Sequence, residues 1–505
     1  MWSADGEESF VTRGESAIAI AADVAAGRRT AALVVAECID RSQRSHRALN
    51  ALVQPRFGQA TEEATRLADG PPGPLVGVPV SVKECFAVRG SLTTLGITAR
   101  CTSRDEEDAS IVSRLRAAGA VILGKANVPQ AMYLHETDNP VWGRTCHPTA
   151  SDRGPGGSSG GDAALVAAGV VPLAVGNDLA GSIRQPAHAC GIVGLLPRST
   201  TLGSGGAFET MPHIVGQRSR AGFLTRNVAD AGLALDATCG RTEIAFSLPA
   251  RIRIGWWDET GPIPPSAAVR RAVAIAIERL RLAGAEVRAL NPEIAAEAAW
   301  IHLALMSADG GRSVRRLFAG ERPMAGVSRL LWMASVPRWA RPLVAGACAW
   351  GGRRIEAAGL RATGPRRGRA LNTVLHQRRE VDAIVAGWGG EFDAVVCPVS
   401  ALPALRHGTA ARLVLAASPC LLANLLDLAA GTVPVTTVAT DEERGRGEPS
   451  DPVEAAAART DHGSAGLPVG VQVIGLDRGT NRRSEAVVLE TMRLIELAGL
   501  SSAIA

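Results

Sequence analysis

Three side chains in this sequence could together break an acyl bond. Lys83 closes the apolar run GVPVSVKECF (77–86), Ser158 lies in the glycine turn GGSSGG (156–161), and Ser182 follows Ala-Gly in NDLAGSIRQPA (177–187). Lys83 and Ser158 are 75 residues apart, and Ser158 and Ser182 are 24 apart. A serine hydroxyl is a poor nucleophile until a neighbouring base takes its proton. No G-x-S-x-G elbow surrounds Ser182, which has Ala180 and Arg184 at the two glycine positions. A lysine can serve as the base if burial in an apolar strand keeps it neutral. Backbone N–H groups of a glycine-rich turn can hold the oxyanion that forms on attack.

Lysine is rare here. Lys83 and Lys125 are the only two lysines among 54 basic residues, and Tyr133 is the only tyrosine. The bland explanation is an Arg- and Ala-rich coding bias. The chemical one is that lysine persists where arginine cannot serve, because a guanidinium does not deprotonate and a buried amine can. Lys125, in ILGKAN, reads as a structural strand-end lysine.

With their surrounding glycines, Lys83, Ser158 and Ser182 resemble the amidase signature family over roughly residues 20–500. Within it, GVPVSVKECF, VPQAM (128–132), LLDLAAGTVPVTTV (425–438) and GLPVGVQ (466–472) are similar to the fatty acid amide hydrolase branch. The resemblance implies amide hydrolysis by a Ser-cisSer-Lys triad: Ser182 the nucleophile, Ser158 the bridging serine after a cis peptide at Gly157, and Lys83 the terminal base. It implies an oxyanion hole from the backbone N–H groups of Leu179, Ala180, Gly181 and Ser182. Ser159, Asp178 and Arg184 would support the turn, and Met132 would bind substrate. Three positions depart from the family pattern. Ala180 stands where a glycine is usual, and at a positive φ it would cost about 1 kcal/mol. Arg198 replaces a common lysine, and His147-Pro148-Thr149 replaces a common N-P-W.

The elements that must position these groups alternate. Residues 16–48 have helical spacing, and VGVPVSV (76–82) reads as a buried strand. Ser110 would cap a helix that stops at Gly119, before a strand at 120–123. A helix at 162–169, a strand at VVPLAVG, a strand at 252–256 and a helix at 267–283 follow. Further strands are expected at 394–399, 433–438 and 469–475, with 440–466 as an inserted polar loop. This order indicates an α/β fold, which the resemblance makes a large mixed central sheet surrounded by helices. We expect one domain over 1–505, with the signature core at about 70–230 and a helical cap at about 310–380.

The totals exclude several classes. The nine cysteines form no C-x-x-C pair, so neither a zinc ribbon nor a redox site is expected. No H-E-x-x-H spacing occurs, and no metal or cofactor is expected. MWSADGEESF is not a secretory signal, and no stretch suits a membrane span, which favours the cytoplasm. A net charge of +5 is weak support for nucleic acid, and none is expected as a partner. Residues 310–380 hold 15 arginines against three glutamates, a local net +12 on a body of net −7. There Trp332, Arg338, Trp339 and Arg341 suit a membrane interface, peripheral at the inner face. The plainer alternative is packing over the core with a solvated arginine face, and a third is a homodimer contact.

Together these point to a serine hydrolase of lipophilic amides, N-acyl amines or primary fatty amides, with esters as further substrates. The alternatives are a general small-molecule or aryl amidase, and a non-hydrolytic amidotransferase-like subunit, against which the complete Lys-Ser-Ser set argues.

Overall fold

The short β-branched runs become strands of one twisted mixed sheet in a computed structural model that describes residues 14–67, 73–240, 251–477 and 483–502. In chain order its strands are β1 Leu52–Pro55, β2 Pro79–Lys83, β3 Val121–Ala126, β4 Leu173–Asp178, β5 Val193–Leu196 and β6 Arg220–Thr225. β7 Arg253–Trp256, β8 Glu286–Ala289, β9 Ala394–Pro398, β10 Ala430–Thr437 and β11 Pro468–Gly475 complete it. Their spatial order is β1-β3-β2-β4-β6-β5-β10-β11-β9-β7-β8.

β2 and β4 are parallel neighbours, with Val82 opposite Val175, and every residue of both is buried. Near-continuous apolar runs are what a parallel strand covered on both faces requires. The carboxyl ends of these strands carry Lys83 and the pair Asn177–Asp178. Ligands of open α/β sheets bind beyond such ends.

Helices Ala17–Ala25 and Ala31–Leu49 match the spacing seen in 16–48, each capped by a hydroxyl, Ser16 and Thr30. Ser110 does not cap. It is the first residue of the Ser110–Ala117 helix, and Ala109 takes the cap position with its N–H held by the Ala87 carbonyl at 2.8 Å. Residues 440–466 are not a plain loop. They contain a 3₁₀ turn at Thr440–Arg444 and the helix Pro452–Asp461. Asp451 starts that helix by accepting the Val453 N–H at 2.7 Å, and Pro452 fits its first turn. Its buried apolar face is only Val453, Ala456 and Ala457, in one cluster with Leu402, Leu405 and Leu413, too narrow to stand out in a polar stretch.

Residues 310–380 are helical: Arg312–Leu317, Ala325–Ser335, Arg341–Trp350, Arg354–Ala362 and the start of Arg369–Glu391. Pro337 separates two of these helices, and Pro342 sits in the first turn of the next. Arg341, expected at an interface, is instead buried. Its guanidinium donates to the carbonyls of Val336 (2.9 Å), Leu360 (2.6 Å), Met333 (2.6 Å) and Ala334 (3.1 Å), and to Thr363 Oγ1 (3.3 Å). Helix carboxyl ends leave orphan carbonyls, and the five guanidinium N–H groups satisfy those of two helices at once. The tryptophans face outward: Trp332 is 56% exposed, Trp339 79% and Trp350 94%, and Arg338 is exposed beside them. Among the described residues, no helix is long and apolar enough to cross a membrane.

Candidate active site

Lys83 is fully buried at the end of β2. Its Nζ donates to Ser158 Oγ at 2.7 Å, to Asn177 Oδ1 at 2.6 Å and to the Asn177 carbonyl at 3.2 Å. Burial drives its pKa below the ordinary lysine value, against the opposing influence of Cys85, Asp162 and Asp178. The neutral amine, the form a base requires, is thereby favoured. The Asn177 amide donates to Ser219 Oγ at 2.6 Å, which turns its oxygen toward Lys83.

Ser158 follows a cis Gly157–Ser158 peptide and is 2% exposed. Gly157 is required by close approach, because a Cβ there would stand 2.7 Å from the Leu134 carbonyl oxygen. Ser159 links the two serine turns: its N–H donates to the Ser182 carbonyl at 3.1 Å. Ser182 and Ser158 line one cavity together with Met132, His135, Leu179 and Ala180. The fold therefore gathers Lys83, both serines, Met132 and the Leu179–Ser182 turn.

The turn is held from behind by Asp178. Its carboxylate accepts the Gly181 N–H at 2.7 Å and the Ile183 N–H at 3.1 Å. Arg184 clamps it from Nε and Nη2, both at 3.0 Å. Burial alone would raise the Asp178 pKa, but the Arg184 charge and hydrogen bonds outweigh it and hold the carboxyl well below the usual range. Two expectations change here. The Gly181 N–H, expected among the oxyanion donors, is engaged by the Asp178 carboxylate. The positive φ of the turn falls on Gly181 (+92°) and not on Ala180, so the strain expected at Ala180 does not arise.

The motif did not single out several neighbours. Asn177 fixes Lys83, yet in sequence it is only the polar end of an apolar strand. His135 Nε2 lies 3.0 Å from the Ala180 carbonyl, which can only accept, so that nitrogen carries the proton. Burial lowers the His135 pKa and keeps the ring neutral. Asp162, in the first turn of the Gly160–Ala167 helix, accepts Ser81 Oγ–H at 2.8 Å. Its other oxygen has no partner among the described residues, and burial raises its pKa. Alternation along β2 was the one available signal, because Ser81 and Lys83 share a face. Lys125 is buried in its own polar nest, donating to Thr93 Oγ1 at 2.9 Å and to the Leu92 carbonyl, with Asp105 at 3.4 Å. Among the described residues, no three His, Cys, Asp or Glu side chains are placed to hold a metal ion.

The remaining walls around Ser158 and Ser182 are largely apolar, including Phe208, Met211 and Leu421. A second cavity shares Tyr133, Leu303, Met306 and Val414 with the first. It continues past Trp300 and Ile355 to Leu330 and Met333, beneath the helices of 310–380.

The profile of the Amidase family matches residues 33–481. Fatty-acid amide hydrolase 1 of Sus scrofa is 31% identical over 459 residues, covering 84% of this chain and 76% of that protein. Fatty acid amide hydrolase 1 of Caenorhabditis elegans is 30% identical over 477 residues, covering 88% and 80%. A solved structure of a fatty acid amide hydrolase superposes with a TM-score of 0.80 at 20% identity, over 96% of this chain and 85% of that one, a likeness of fold. These matches, with the fold, define an amide hydrolase. The chain belongs to the amidase signature family and is similar to its fatty acid amide hydrolase-like members.

Proposed function

We propose that the protein hydrolyses carboxylic amides with a lipophilic acyl part through an acyl-enzyme on Ser182. The observation that carries this is the buried Lys83–Ser158 hydrogen bond of 2.7 Å at the wall of an apolar cavity that Ser182 also lines. Neutral Lys83 takes the Ser158 proton as Ser158 takes that of Ser182. Ser182 Oγ then bonds to the acyl carbon, the C–N bond breaks, and the proton returns through Ser158 to the departing amine. Water, deprotonated along the same relay, cleaves the ester and releases the acid. The N–H groups of Leu179, Ala180 and Ser182 stabilise the oxyanion. The adjoining cavity supports a long acyl chain, for which burial contributes about 0.8 kcal/mol per CH₂. A single domain carries this site, with residues 310–380 as a cap. The exposed Trp332, Trp339 and Trp350 beside Arg338 support a peripheral contact of that cap with lipid.

The test is labelling with a fluorophosphonate followed by a panel of amides of increasing acyl length. Ser182→Ala should abolish labelling, and rates should rise with chain length. Labelling that survives in Ser182→Ala removes the nucleophile; equal rates on short and long amides remove the lipid preference.

A further inference from the structure

A second concavity lies on the same helical segment, away from the serines. It has a volume of about 640 Å³ and is lined by Arg338, Arg341, Arg361 and Arg366, with Thr373 and Gln377 on the facing helix. No carboxylate lines it. Surface arginines are ordinarily solvated and unremarkable. These four converge on one hollow from two helices and two connecting segments, and their bonding divides them into two kinds.

Arg341 and Arg366 build the floor. Arg341 spends its donors on the carbonyl ends of two helices, and Arg366 donates to the carbonyls of Gly364 (2.9 Å) and Ala362. These partners are neutral, so the two charges are oriented but not cancelled. Burial first, and then the charge of Arg366, pushes the Arg341 pKa down to about 10. Burial and the charge of Arg338 lower Arg366 in the same way. The positive charges of the cluster thus repel one another.

Arg338 and Arg361 are exposed at the rim, and neither has an ion-pair partner among the described residues. Within the segment Arg329 and Arg353 share Glu356, and what sets Arg338 and Arg361 apart from its other arginines is their place over the buried Arg341 and the Arg366 side chain in one hollow. Two open guanidinium forks above two fixed positive charges match a tetrahedral oxyanion, which arginine grips through paired N–H donors. We propose that this hollow binds a phosphate group, either free or as part of a lipid headgroup. The hollow shares no lining residue with the cavity of Ser158 and Ser182 and meets the adjoining one at Thr363, and the proposal stands whether or not the proposed substrate class is right.

The experiment uses the full chain. Inorganic phosphate, against sodium chloride of equal ionic strength, is titrated while the melting temperature is followed. Flotation with phosphatidylglycerol vesicles is measured in parallel. Wild type should be stabilised by phosphate, and Arg338→Gln/Arg361→Gln should bind it about tenfold or more weakly. Each single substitution gives a second reading if the pair fails to fold. Arginine-dependent stabilisation by phosphate without arginine-dependent flotation assigns a free phosphate; arginine-dependent flotation alone assigns a headgroup. Identical behaviour of wild type and variants in both arms overturns the site. Trp339→Ala should lose flotation yet keep phosphate stabilisation, which separates this site from the apolar membrane contact.

Discussion

Arg184 holds Asp178 through two hydrogen bonds of 3.0 Å, and Asp178 in turn holds the N–H groups of Gly181 and Ile183 on either side of Ser182. The ion pair is wholly buried, and Arg184 is itself anchored to the Cys420 carbonyl at 2.9 Å. The Leu179–Ser182 turn is therefore shaped from behind, by groups buried beneath it.

The first consequence concerns neighbouring residues of that turn. Gly181 has φ +92°, and a Cβ there would lie 2.9 Å from Cys420 Cβ. Gly181→Ala should lower kcat/KM by about 10²-fold or more, by displacing the oxyanion donors. Ala180→Gly should stay within about threefold of wild type, because Ala180 has no positive φ to relieve. Comparable losses in both variants would place the strain elsewhere.

As the proposed base, Lys83 would work only when neutral, so kcat/KM should rise with pH as it loses its proton. The charge of Asp162 opposes that loss. Asp162→Asn should therefore move the acid limb of the pH profile to lower pH. A limb that does not move would mean that Lys83 does not sense Asp162.

His302 is fully buried, and beyond the Leu179 backbone neither ring nitrogen has a hydrogen-bonding partner among the described residues. Burial pushes its pKa down to about 3 from 6.5. The unfolded chain thus binds the proton that the fold refuses, and stability falls as pH drops from about 6.5 toward 3. At pH 5 the cost is roughly 2 kcal/mol. His302→Met should raise the melting temperature more at pH 5 than at pH 8; an equal gain at both would exclude the protonation cost.

Arg341→Ala strips the carbonyl ends of two helices of their donor. It should destabilise the fold by on the order of 3 kcal/mol, measured by denaturant unfolding. Trp339→Ala, at a position 79% exposed, should change stability by about 0.5 kcal/mol or less. The reverse order would mean that the tryptophan, and not the arginine, organises this segment.

The site was legible where chemistry and backbone coincide. Lys83, Ser158 and Ser182 were marked by residue type, glycine turns and apolar strands, and the structure gathers them. What escaped depended on contacts between distant segments. Arg341 looked like an interface arginine because nothing local shows that Leu360 and Met333 offer it carbonyls. The Pro452–Asp461 helix was hidden by its narrow apolar face. The engagement of the Gly181 N–H followed from the position of the Asp178 carboxylate, which spacing cannot give. Asn177 and His135 were ordinary polar residues until tertiary packing brought them to Lys83 and Ala180.

Both lysines of the chain lie inside the fold. Apart from histidine, every basic side chain on the outside is then a guanidinium, whose charge persists to pH values above 12. Alkaline solution, which unmasks the Lys83 amine, leaves the positive exterior undischarged. The conditions that favour a neutral Lys83 therefore leave intact the surface electrostatics that would hold an anion or an acidic bilayer. Amine-directed acylating reagents, in turn, find no lysine on the folded exterior to modify.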